Sequence, residues 1–111
     1  MNEVESLVAL NDLINNVGME KCEVTLVKYS TVACPKCRML TPVLNSMSRE
    51  FPTVRFVEVV LDKVSDPESF GVTSVPTVRI YKSGVGEVVD LSGGKLNPLE
   101  IRMSLKKLLG E

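Results

Sequence analysis

The chain has 111 residues, 44% of them hydrophobic and 24% charged, which is enough for one compact core and too few for two domains. Thirteen basic residues against 14 acidic ones leave a net charge of −1, so no charge excess draws the protein to nucleic acid or an anionic membrane. Three cysteines are too few for a disulfide scaffold, and the lack of histidine disfavours a zinc site within one chain.

The start, Met1-Asn2-Glu3-Val4-Glu5, is acidic and lacks the basic segment and apolar run of a secretory signal. No stretch of about 18 apolar residues occurs. The expectation is a single cytoplasmic domain over residues 1–111 that is monomeric and needs no membrane.

Val4-Glu5 reads as the end of a short first strand. Ser6 then caps a helix whose apolar residues Leu10, Leu13, Ile14 and Val17 recur at helical spacing, with Gly18 to end it. Val24 to Tyr29 is β-branched and apolar, a largely buried strand that leads into Cys34-Pro35-Lys36-Cys37. Leu40, Val43, Leu44, Met47 and Phe51 form a second helical stripe, which Pro42 is expected to kink by removing a backbone donor. Val54 to Leu61 is apolar enough for a strand covered on both faces. Asp66-Pro67-Glu68 suits a short helical turn. Thr77 to Tyr81 and Glu87 to Leu91 flank Lys82-Ser83-Gly84-Val85-Gly86 as an antiparallel hairpin. Asn97-Pro98-Leu99-Glu100 opens a last helix with Ile101, Leu105 and Leu108 on one face. This order predicts an α/β fold in which a mixed central sheet of about five strands carries helices on both faces.

Two cysteines separated by two residues, where a buried strand meets a helix, have a use that neither has alone. The unpaired donors and the macrodipole at the helix N-terminus stabilise a thiolate on Cys34, and a thiolate is the nucleophile in disulfide exchange. Cys37, one turn on, is placed to attack the resulting mixed disulfide and release the substrate. Lys36 adds a positive charge that favours the Cys34 thiolate, and Pro35 holds the helix start rigid. Two inert buried thiols are the alternative. Cys22 reads as an inert packed thiol at the start of a strand.

With these motifs in place the chain resembles the thioredoxin family over nearly its whole length. The family's strand, Cys-x-x-Cys and helix with a proline five residues later are similar to Val24–Tyr29, Cys34 to Cys37 and Pro42. Its aromatic-Gly-aliphatic-x-x-aliphatic-Pro-Thr segment is similar to Phe70-Gly71-Val72-Thr73-Ser74-Val75-Pro76-Thr77, and the glycine after its last strand to Gly93. The resemblance implies a thioredoxin fold and a cis Val75-Pro76 bond beside the cysteines. Val75 would then offer backbone hydrogen bonds to an extended substrate. Read without the cysteine pair, Pro76 would simply begin an edge strand.

Two departures stand out. Most thioredoxins carry Trp-Cys-Gly-Pro-Cys, whereas here Ala33 precedes Cys34-Pro35-Lys36-Cys37 and the chain has no tryptophan. Proline directly after the first cysteine, Tyr29-Ser30-Thr31 and Gly93-Gly94 are closer to glutaredoxins. The family's buried aspartate and lysine also correspond here to Lys28 and Glu58, with the signs exchanged. Lys28 shares a strand face with Val24 and Leu26, and Glu58 shares one with Val54, Phe56 and Val60, so an ion pair behind the cysteines is possible. Lys28 would favour thiolates and Glu58 would take the proton of Cys37; the alternative is that both side chains run out to solvent.

The leading reading is a thiol–disulfide oxidoreductase that reduces protein disulfides, with no cofactor beyond its own cysteine pair and with a thioredoxin reductase as electron donor. A glutaredoxin-like enzyme recycled by glutathione is a second reading. A thioredoxin-fold binding module whose cysteines do not turn over is a third.

Overall fold

In the computed structural model, which describes residues 1–17 and 21–111, the sheet is built around β2 (Val24–Ser30), every residue of which is buried. β3 (Val54–Val60) lies parallel to it on one side and β4 (Thr77–Lys82) antiparallel on the other. β1 (Asn2–Glu3) extends the sheet beyond β3, and β5 (Gly86–Ser92) beyond β4, giving the order β1-β3-β2-β4-β5. Parallel neighbours need a crossover, and α2 (Pro35–Glu50) supplies it between β2 and β3. This is the mixed sheet that the order of elements calls for.

Alternation along β2 divides the core into two. Val24 and Leu26 join Val54, Phe56, Val78, Ile80 and Leu91 against Leu40, Leu44 and Met47 of α2 and against Ile101 and Leu105 of α3 (Pro98–Leu108). Val27 and Tyr29 face the other way, with Val57 and Val59, against Leu10 and Ile14 of α1 (Leu7–Ile14) and Phe70. Helices therefore cover both faces, and position 28 falls on the α2 side.

The helix starts follow their caps. Ser6 Oγ accepts the Ala9 N–H at 3.0 Å, and Asn97 Oδ1 accepts that of Glu100 at 3.0 Å with Pro98 at the first helical position. α2 runs through Pro42 without a break.

β2, β4 and β5 run one residue past the expected ends, to Ser30, Lys82 and Gly86–Ser92, and the ends of β1, β3 and α1 also differ from the sequence pattern. β1 pairs at Asn2 and Glu3, although Val4 still donates its N–H to Glu58 O at 2.8 Å. β3 ends at Val60, and Leu61 opens a short 3-10 turn. α1 stops at Ile14, so Val17, expected on its buried stripe, is 58% exposed. Asn16 supplies the reason: its backbone is left-handed at φ 60°, and its side chain bonds both the N–H and the carbonyl of Cys22, a local alternative to continuing the helix. Gly18 lies outside the described residues.

Leu44 sits fully buried between the sheet and α3, whereas Leu99 is 61% exposed. Leu44→Ala should lower the unfolding free energy by about 2–5 kcal/mol, while Leu99→Ala should stay within about 0.5 kcal/mol of the parent, both read from urea titrations. Similar losses at the two positions would contradict this core.

Candidate active site

β2 delivers the chain to the N-terminus of α2, where Cys34 is the cap residue. Its backbone is extended, and its Sγ takes the place of a capping oxygen by accepting the Cys37 N–H at 3.1 Å. Pro35 occupies the first helical position, where its missing donor and fixed φ cost nothing. Cys34 and Cys37 are joined in a disulfide, with their Cα atoms 5.2 Å apart. Cys34 is 8% exposed and Cys37 2%, so an approaching sulfur meets Cys34 first. The loop before the pair is held at Val32: both carboxylate oxygens of Asp62 accept its N–H at 3.2 Å, and Arg38 Nη1 donates to its carbonyl at 3.2 Å.

Behind the disulfide, Lys28 and Glu58 are direct partners in the β2–β3 register. Lys28 Nζ lies 3.1 Å from Glu58 Oε2, with the lysine side chain 2% and the glutamate 19% exposed. The structure thus brings the two together rather than sending both to solvent. Ser30 Oγ donates to the same Oε2 at 2.7 Å. Lys28 Nζ also donates to Thr41 Oγ1 at 2.6 Å, and Thr41 Oγ1 donates to the Cys37 carbonyl at 3.3 Å. Lys28, Glu58, Thr41 and Cys37 border one hollow of about 270 Å³, whose lining also includes Glu3 and Lys63, themselves a partly exposed pair at 3.4 Å.

The other sequence-derived candidates meet on the opposite side of α2. Lys36, Val75, Pro76 and Gly93 line a groove of about 460 Å³, mostly apolar, with Met39, Val43 and Leu96 as further walls. The Val75-Pro76 peptide is cis, and Gly93 adopts φ 57° where β5 ends. Arg79 anchors the segment that leads to Val75 by donating to the carbonyls of Phe70 at 2.6 Å and Gly71 at 3.0 Å. The same guanidinium pairs with Asp90 at 3.1 Å and lies 5.2 Å from the centre of the Tyr29 ring. Tyr29 shares a 2.6 Å hydrogen bond with Tyr81, and burial pushes its phenol far above the usual range. A larger polar hollow beside Arg79, about 580 Å³, is bordered by neither cysteine.

Cys22 is half-buried and free, just before β2. Among the described residues no cluster of His, Cys, Asp or Glu could hold a metal ion, and no helix is long and apolar enough to cross a membrane. Thr41, Ser30, Asp62 and Arg38 are the contributors that sequence reasoning missed. Thr41 lies one helical turn after Cys37 and Ser30 lies two residues after Lys28, so their shared faces were a usable signal. Nothing local pointed to Asp62.

A five-stranded mixed sheet with a disulfide at the N-terminus of its crossover helix defines a thioredoxin-fold thiol–disulfide oxidoreductase. The thioredoxin family profile matches residues 8–107. The chain is 37% identical over 87 residues to a thioredoxin of Chlamydia muridarum, covering 78% of this chain and 79% of that one. It is 32% identical over 101 residues to the thioredoxin of Sus scrofa, covering 90% and 92%. The structure of Fasciola hepatica thioredoxin superposes with a TM-score of 0.82 at 27% identity, over 96% of this chain and 98% of that one. The chain belongs to the thioredoxin family.

Removing one partner of the Lys28–Glu58 pair leaves the other charge uncompensated. A fully buried pair loses about 3–5 kcal/mol in this way, and the partial exposure of Glu58 places Lys28→Met near about 2–3 kcal/mol. The double variant Lys28→Met/Glu58→Gln should recover at least half of that loss in urea unfolding. A single variant as stable as the parent would show that the pair holds nothing.

Proposed function

We propose that the protein reduces protein disulfides in a reducing compartment such as the cytoplasm, with Cys34 as nucleophile and Cys37 as resolving group. The Cys34 thiolate attacks one sulfur of the substrate disulfide; the other sulfur leaves as a thiolate, and a mixed disulfide forms on Cys34. Cys37 then gives its proton to Glu58, and its thiolate attacks Cys34 Sγ. The mixed disulfide breaks, the second substrate sulfur leaves, and the Cys34–Cys37 bond closes. Two electrons pass from the cysteine pair to the substrate.

The observation that carries this reading is the Cys34 sulfur at the mouth of α2, where it accepts a backbone N–H at 3.1 Å. A donor already aimed at that sulfur stabilises a negative charge there, as does the helix dipole. Pro35 fixes the start of the helix, and Lys36, exposed at its first turn, adds positive charge facing the substrate. Val75, Pro76 and Gly93 serve as the substrate platform: an extended segment lies along the groove they border and pairs with the backbone of Val75. Lys28 steadies the negative charges behind the pair, and Glu58, reached through the hollow that Cys37 borders, holds the proton. The protein acts as a monomer that a thioredoxin reductase recharges.

Pro35 directly after Cys34, with Gly93 at the groove and Gly94 following it, favours glutathione as the second choice of donor. Insulin reduction separates the alternatives. Turnover is expected with NADPH and a thioredoxin reductase, and little or none with glutathione as the sole donor. The reverse pattern would replace the reductase with glutathione, and turnover with neither would leave a binding module.

A further inference from the structure

Thr41 takes no part in the exchange of sulfur bonds, yet its hydroxyl stands between the resolving cysteine and the Lys28 ammonium. It donates to the Cys37 carbonyl one turn back, a common habit of helical threonine. The same oxygen accepts a hydrogen bond from Lys28 Nζ at 2.6 Å, a closer contact than the 3.1 Å from that nitrogen to Glu58. The ammonium has three donors, and these two contacts use two of them.

β2 is buried along its whole length and paired on both edges, so the Lys28 backbone is fixed. Its four-carbon stem is not, and the position of the charge depends on what holds the head. Glu58 alone would hold it at one point on the β3 side. The Thr41 hydroxyl adds a second point on α2, in line with the Cys37 peptide.

We propose that Thr41 is a positioning residue for the resolving step, its hydroxyl holding the Lys28 ammonium against the first turn of α2 so that this charge and Glu58 face Cys37 together. The proposal rests on Cys37 being the resolving group. The charged groups that face the hollow are Lys28 from β2, Glu58 from β3, Arg38 from α2, Glu3 from β1 and Lys63 after β3. Among them Lys28 is the one bonded to the helix that carries Cys37.

The test uses the full chain, reduced, reacting with 5,5′-dithiobis(2-nitrobenzoate) under stopped flow. With parent and variants all carrying Cys22→Ser, which removes the third thiol, the first thionitrobenzoate released reports attack by Cys34 and the second reports resolution by Cys37. Thr41→Val keeps the shape of the side chain and removes the hydroxyl. Its first phase should stay within about twofold of the parent, while the second slows about tenfold, the kinetic equivalent of one hydrogen bond to a charged group. The pH midpoint of the second phase should move up, because a less firmly held cation favours the thiolate less. Thr41→Ser should restore both rate and midpoint, and Thr41→Ala carries the comparison if valine packs badly. Equal slowing of both phases, an unmoved midpoint, or no rescue by serine would overturn the proposal. If the parent released no second thionitrobenzoate at all, the resolving role of Cys37 would itself be wrong, an outcome separable from a null effect of the Thr41 variants.

Discussion

An ammonium group buried in the middle of a sheet is tolerated only where a counter-charge and hydrogen-bond acceptors meet it, and this requirement ties the parts of the site together. Lys28 occupies an inward position of β2, the strand in which every residue is buried. Its carboxylate partner has to come from a neighbouring strand in matching register, and β3 places Glu58 directly opposite. Its remaining acceptor comes from α2 through Thr41. One charge thus links the two central parallel strands to the helix that crosses between them, and it does so beneath the disulfide. A one-residue slip of β3 would turn Glu58 to the other face and leave Lys28 with a valine opposite.

The cysteines are positioned by constraints of different strength. The helix that carries them is fixed by Leu40, Leu44 and Met47 in the core, and its first turn by the cap and by Pro35. The loop that precedes it depends on polar contacts at its surface, with Asp62 accepting the N–H of Val32 and Arg38 donating to its carbonyl. Across the groove, Arg79 steadies the segment before Val75 through two carbonyls, and is itself held by carboxylates of β5 and by the face of Tyr29. The redox pair therefore sits on rigid elements, while the surface that meets a substrate is formed by the ends of loops. That division keeps the chemistry on a fixed scaffold and leaves the contact surface to the loops.

The sheet and the cysteine pair were legible in the sequence because each has a local signal. Runs rich in apolar and β-branched residues from Val24 and from Val54 marked the two central strands, and Asn97-Pro98 marked the last helix. The exchange of charges at positions 28 and 58 could be read as a candidate pair from strand periodicity, although whether it formed was a question of register that only the assembled sheet answers. Val17 misled, since apolar spacing continued past the point where Asn16 turned the chain. Thr41 could be placed on the face of Cys37, yet nothing local tied it to Lys28, and Asp62 carried no local signal at all. Each gains meaning from a partner at least 13 positions away in sequence.

The account as a whole requires that the reduced Cys34 sulfur be ionised and reachable near neutral pH. Alkylation of the reduced protein by iodoacetamide at pH 7, with each cysteine followed by peptide mass mapping, tests this directly. Cys34 should react well ahead of Cys37, Cys22 and free cysteine. If Cys34 reacted no faster than free cysteine, a sulfur held as a thiolate by the mouth of α2 would be ruled out, and the exchange chemistry with it.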